Sequence, residues 1–219
     1  MRALPSLLAF LAALALHPNV YGAQAAEDAS RVGVVDKVEN EAQVISASGA
    51  VTATVGAPVH LKDELRTGAN ARLQVTFLDE TQLTLGEHAS VVIDRYVYDP
   101  DRGIGETVLQ ATKGAFRFAT GRIKEMKDSN IAVSTPFADI AVRGTEFGGG
   151  PLDKYGVLLL KGKVAVWNQA GSVMLGEPGQ GTDIPSALDP PGAPTTWPAG
   201  KVARAIATVA LHLWGMKSR

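Results

Sequence analysis

Residues 71–77, Ala-Arg-Leu-Gln-Val-Thr-Phe, alternate small or apolar with polar side chains without a fault. A period of two puts every second side chain on the same face, so this run is predicted to lie as a strand with one buried face. Leu78-Asp79-Glu80-Thr81 then turns the chain, and Leu83 and Leu85 resume the alternation, the pattern of a hairpin. Further strands are predicted over 90–98, 106–112, 114–118, 130–134, 138–143, 156–161, 163–168 and 172–175. Asp99-Pro100-Asp101-Arg102-Gly103 reads as a second strong turn. No window before residue 199 carries a helical stripe, so the fold class is all-β.

One phrase recurs within this pattern. Lys113-Gly114-Ala115-Phe116-Arg117-Phe118 and Lys161-Gly162-Lys163-Val164-Ala165-Val166 share the form Lys-Gly-x-apolar-x-apolar, and Gly33 to Val38 is a looser copy. Their spacing is irregular, which argues against a regular solenoid. The prediction is a sandwich or a short β-helix of similar hairpin units over residues 31–175. Six prolines crowd residues 176–200, so that segment is expected as an extended strap or linker outside any sheet interior. After it Val202, Ile206, Val209 and Leu213 recur on one face of a predicted helix over 201–216, reaching Trp214. Lys201, Arg204, Lys217 and Arg219 make this end basic. Docking on the body is the plain expectation for the helix, and peripheral contact with a membrane or a partner is the alternative.

The leading residues read differently. Arg2 precedes an apolar run from Leu4 to Leu16, and Ala23-Gln24-Ala25 has the small-x-small form of a cleavage site. The run falls well short of the roughly 20 residues that span a bilayer. Residues 1–25 are therefore expected to be a cleaved signal peptide, which implies a periplasmic or secreted protein.

Chemistry-bearing groups are sparse. The 219 residues contain no Cys, which removes disulfides, thiol nucleophiles and Cys-ligated metals. With 21 basic and 22 acidic side chains there is no field to draw in nucleic acid. Glu87-His88 lacks the second His that a zinc-protease helix needs, and Asp99–Gly103 lacks the acid that closes a calcium loop. Gly148-Gly149-Gly150-Pro151 lacks the Lys of a phosphate loop and is expected to be a flexible hairpin tip. No nucleophile elbow or phosphate-binding Gly-Lys-Ser/Thr loop occurs. No catalytic residue, metal site or cofactor is predicted.

The specific signal is the stretch 134–147. Thr135-Pro136, Ala138 and Ile140-Ala141-Val142-Arg143-Gly144-Thr145-x-Phe147 resemble the signature of the FecR-domain family. Upstream, Asp63-Glu64-Leu65-Arg66-Thr67-Gly68, Phe77-x-Asp79-x-Thr81-x-Leu83-x-Leu85, Ile93-Asp94-x-Tyr96 and Lys113-Gly114-x-Phe116-Arg117-Phe118 are similar to the rest of it, in order. The turn departs from the family pattern at Glu80, where Gly is frequent. Physically, Thr135-Pro136 is expected to lead the chain in extended form, with Ala138, Ile140 and Val142 pointing inward and Phe147 returning to the core. Gly144 would allow a bend whose freed backbone Thr145 can bond, and Arg143 would pair with an acid on the same strand, such as Asp139.

The resemblance implies an all-β extracytoplasmic domain that acts by binding protein, in some members by relaying a signal from an outer-membrane receptor to a sigma factor through a membrane helix. With a leader and no such helix, this chain is expected to be a free-standing exported FecR-domain protein. Thr135, Pro136, Ala138, Val142, Phe147, Asp79 and Gly114 are then structural members of the motif, and Arg143, Gly144, Thr145, Lys201 and Arg204 are candidate partner-binding residues. The expected partner is another envelope protein, with strand addition at a sheet edge as one mode. A carbohydrate- or cell-wall-binding domain using Trp167, Trp197 and Trp214 is the alternative, and a hydrolase is the third reading. Partner identity and oligomeric state are open at this level.

Overall fold

Each alternating run becomes one strand of two stacked nine-stranded sheets in the computed structural model, which describes residues 30–212. The predicted signal peptide, Leu213 and Trp214 lie outside the described residues. The first sheet takes β1 (Arg31–Glu39), β4 (Pro58–His60), β6 (Arg72–Phe77), β7 (Gln82–Leu85), β10 (Phe116–Ala119), β13 (Glu146–Pro151), β14 (Tyr155–Lys161), β17 (Gln180–Ile184) and β18 (Thr195–Thr196). The second takes β2 (Ala42–Ser46), β3 (Gly49–Thr52), β5 (Glu64–Thr67), β8 (Ser90–Asp99), β9 (Ile104–Lys113), β11 (Asp128–Ser134), β12 (Asp139–Val142), β15 (Val164–Asn168) and β16 (Gly171–Leu175).

The chain crosses between sheets after every one or two strands, and from β5 onward both sheets add strands in chain order. The result is a sandwich wound by successive hairpins, the first of the two predicted architectures. All pairings among the described strands are antiparallel except β9 with β11, which run parallel because β10 crosses in the other sheet between them. The inward side chains of both sheets, among them Leu73, Leu83, Ile93, Leu109, Phe118, Ile140, Phe147 and Leu159, are fully buried and form one core. Phe147 lies edge-on to Phe116 at 5.7 Å, and Phe137 stacks on Tyr155 at 4.6 Å.

Three expectations are corrected. The glycine run is no hairpin tip: Gly148–Gly150 sit inside β13, between β10 and β14. A Cβ at Gly149 would lie 2.8 Å from the Phe116 ring, so the missing side chain is what lets that ring fill the core. The Pro-rich segment is not wholly outside the sheet either. Its prolines bracket a proline-free stretch, Gln180–Ile184, that pairs with β14 on one side and β18 on the other. Strand pairing of the body therefore runs past residue 175, to Thr196.

The third correction concerns the helix. Helix α1 spans Ala199–Ala207 and stops short of the predicted span over 208–212, residues 213–216 lying outside the described ones, and a turn at 208–209 drops Val209 into an apolar groove on the first sheet. The docked face is offset from the predicted stripe, since Ile206 is largely exposed while Val209 is buried. Trp197 anchors this strap. Its ring lies flat on β14 and β17, where a Cβ at Gly156 or Gly181 would come within 2.7 or 2.3 Å of it. Lys201 crosses the ring at 3.8 Å and bonds both Asp183 oxygens at 2.7 Å. Arg204 reaches Asp153, Arg72 donates to the Ala207 carbonyl, and His212 meets Glu39 at 3.1 Å. The strap thus crosses the outer face of the first sheet from β17 to β1.

Replacing Trp197 by Ala should lower stability by about 3 kcal/mol, read by urea denaturation. Amide exchange should speed up over 195–212 while β6 and β10 keep their protection; uniform acceleration would mean the strap is not a separate unit. Burial pushes the Tyr155 phenol from its ordinary 10.0 up to about 12. The folded state favours the neutral ring, so stability is full below about pH 10 and falls as pH rises towards 12. Tyr155→Phe should flatten that loss in alkaline unfolding curves.

Candidate partner-binding rim

The end of the sandwich that carries Arg143 is built around a buried carboxylate. Asp79, at the tip of the β6–β7 hairpin, is inaccessible to solvent. Its oxygens accept from the Thr81 hydroxyl at 2.5 Å, the Tyr96 hydroxyl at 3.0 Å and the Ile123 amide at 3.2 Å. The Asp79 amide donates back to the Tyr96 oxygen at 3.0 Å, and its carbonyl accepts from the Arg122 amide at 2.6 Å. Thr81 Oγ1 in turn accepts from Gly121 at 2.9 Å. Tyr96 belongs to β8 in the opposite sheet, so Asp79 ties both sheets and the short 3-10 turn Arg122–Glu125 together. Burial, with the Asp79 charge beside it, raises the Tyr96 phenol far above its ordinary value. Glu80, where the family pattern often has Gly, is held in the left-handed region at φ 68° and pairs with Arg122.

The signature stretch adds a second clamp. Thr135 and Pro136 do not lead a strand in; they form the tight turn between β11 and β12. The Thr135 hydroxyl accepts from the Phe137 and Ala138 amides at 3.2 and 3.0 Å and donates to the Ala138 carbonyl at 2.7 Å, and this side-chain closure is what overrides the extended expectation. Ala138, Ile140, Val142 and Phe147 point inward as predicted. After Val142 the chain bends at Gly144, φ 63°. Thr145 is buried and donates to the Lys163 carbonyl at 2.8 Å, while its amide and carbonyl bond Thr120.

The candidate binding residues therefore separate. Thr145 is interior and belongs with the structural members, and Lys201 and Arg204 are held by acids of the body at the opposite end of the sheet. Gly114, at φ 74°, packs against Ala89 in the turn before β10, also away from the rim. Arg143 is exposed and finds no acid among the described residues. It does not meet Asp139, because it lies beyond the last residue of β12 and Asp139 accepts instead from Ser134. Arg143 borders an open depression of about 430 Å³ together with Lys127, Asp128, Ser129, Asn130 and Glu106.

Sequence reasoning missed Ile123, a lone apolar residue in a polar window, and the part Gly121 plays beside Thr81. Of the tryptophans considered for glycan stacking, Trp197 is buried under the strap and Trp167 is partly exposed. Among the described residues no group of three or more His, Asp or Glu has metal-binding geometry, and no helix is long and apolar enough to cross a membrane.

Residues 63–165 match the family model described as FecR protein. Over that stretch the chain is FecR-like. Its fold also resembles a crystal structure described as a candidate anti-sigma factor from Parabacteroides distasonis, at 19% identity and a TM-score of 0.51. The likeness covers 64% of this chain and 62% of that one, so the chain spans under two thirds of its neighbour's length. A second crystal structure of a candidate anti-sigma factor from the same organism aligns at 21% identity with a TM-score of 0.49, over 64% and 62% of the two chains. No curated protein matches the chain. At such identities the likeness speaks for the fold alone.

The Asp79 cluster of this FecR-like stretch yields a direct test. Asp79→Ala should cost about 3–5 kcal/mol, since it leaves the Tyr96 hydroxyl and the Ile123 amide without their acceptor. Tyr96→Phe should cost about 1–2 kcal/mol. A double-mutant cycle in urea should give a coupling of about 1 kcal/mol or more, and simple additivity would mean the contacts act independently.

Proposed function

We propose that this chain is an exported, non-enzymatic interaction module of the bacterial envelope, in which the FecR-like domain binds a partner protein at the Arg143 rim and relays a signal. One observation carries the reading. Within the signature stretch Ala138, Ile140, Val142, Thr145 and Phe147 are all committed to the interior, and Thr135 closes a turn, whereas Arg143 projects to solvent with no acid partner among the described residues. An arginine fixed in place by a packed scaffold and left without a carboxylate is a usual anchor at protein interfaces. The leader-like sequence supports export, and the description of the structural neighbours as candidate anti-sigma factors supports a regulatory role. The non-enzymatic reading rests on the sequence, which offers no catalytic constellation.

Cross-linking in living cells tests this. A photoreactive residue is placed at 143 and, in a second strain, at Lys154, an exposed lysine at the far end of the β13–β14 hairpin. The expected result is one dominant envelope-protein adduct from position 143 and none from 154. Equal yields from both, only self-adducts, or retention of the protein on isolated cell wall would each overturn the reading.

A further inference from the structure

Part of the basic charge on this domain is satisfied internally. Lys62, Arg66, Arg95, Arg102, Arg117, Arg122, Lys201 and Arg204 each sit against an acid. Arg31, Lys37, Arg72, Lys113 and Lys154 have no ion pair among the described residues and lie apart from one another along the chain. Arg143, Lys124, Lys127, Lys161 and Lys163 are also exposed without an ion pair among the described residues, and the fold brings their backbones to one rim. The stem of Lys124 lies against Gly144, where a Cβ would be 3.7 Å from its Cδ. Gly162, between Lys161 and Lys163, approaches the Gly144 carbonyl so closely that a Cβ there would sit 2.7 Å from it. Lys127 shares the depression with Arg143.

The acids that could neutralise these cations are mostly taken. Glu80 is held by Arg122, Glu146 by Arg117 at 2.6 Å, and Glu106 by Arg95 at 2.8 Å. Glu125 and Asp128 remain exposed on the same segment. Half of the basic side chains without an ion pair among the described residues therefore meet where the 3-10 turn, the 143–145 bend and the β14–β15 turn converge.

We propose that this rim takes an acidic segment of a partner protein, with a carboxylate seated in the Arg143 guanidinium fork and the four lysines supplying the surrounding field. The proposal rests on the interaction-module reading and names the chemistry its partner must present. A protein segment fits better than an anionic bilayer for two reasons. The site is concave, and its wall includes Asp128 and Glu106 beside Ser129 and Asn130, so it can sort single side chains. A flat anionic sheet would bridge such a depression rather than fill it, whereas an extended acidic segment can follow its floor.

The test uses a fluorescein-labelled octaglutamate peptide and the full mature chain, read by fluorescence anisotropy. Binding should appear at low ionic strength and weaken with salt. Arg143→Lys keeps the charge but loses the planar fork, and should weaken binding roughly fivefold. The double substitution Lys161→Glu and Lys163→Glu should weaken it by about tenfold or more. Lys154→Glu should leave it unchanged, and circular dichroism of each variant checks that the fold is kept. Equal affinity for wild type and Arg143→Lys would remove the carboxylate seat. Stronger binding to vesicles of phosphatidylethanolamine and phosphatidylglycerol than to the peptide would transfer the rim to lipid. Absence of peptide binding would overturn this inference while leaving any cross-link from position 143 intact, whereas loss of that cross-link would strike the module reading itself.

Discussion

The buried carboxylate of Asp79 is the constraint on which this end of the molecule depends. A carboxyl group with no access to solvent is tolerable only when partners surround it, and here they come from three separate places: its own hairpin, Tyr96 of the opposite sheet and Ile123 of the 3-10 turn. Satisfying the carboxyl group therefore fixes the relative position of both sheets and of the turn that carries Lys124 and Lys127. The 143–145 bend is tied to the same neighbourhood through the bonds between Thr145 and Thr120. The surface on which function is placed is thus rigid because of a polar cluster, while the apolar core between the sheets holds the two layers together.

The two ends of the sandwich are handled differently. At the Arg143 end, cations are left without partners. Across the outer face of the first sheet, the C-terminal strap consumes its own: Lys201 goes to Asp183 and Trp197, and Arg204 to Asp153. A basic, amphipathic tail in sequence therefore becomes a docked cover in structure, seated on a floor of glycines that leaves room for an indole. The edge strand β3, whose residues are all exposed and uncharged, is one of the sheet edges that offer unpaired backbone groups.

Much of the fold was legible because a period of two is hard to counterfeit. The hairpin at 71–85, the strands of the signature stretch and the Lys-Gly turns all appear close to where alternation placed them. What failed did so where tertiary packing decides. Glycines at 148–150 look like a loop to any local rule, and become a strand only because Phe116 needs the space above Gly149. Gln180–Ile184 was masked by the prolines on either side. The helix ended early because the turn at 208–209 seats Val209 in the apolar groove. For the site, the family motif located Arg143 but not its neighbours. Lys124 and Lys127 belong to a polar turn and Lys161 and Lys163 to another, and nothing along the chain says that they share a rim.

We propose that this rim, rather than a sheet edge or the strap, receives the partner. The most direct measurement is hydrogen–deuterium exchange on the complex between this chain and the protein captured from position 143. The account predicts new protection over residues 122–128, 142–145 and 161–163, with β3 and the strap unchanged. Protection confined to Gly49–Thr52, or to the strap residues 197–209, would contradict it and move the interface to a sheet edge or to the docked cover.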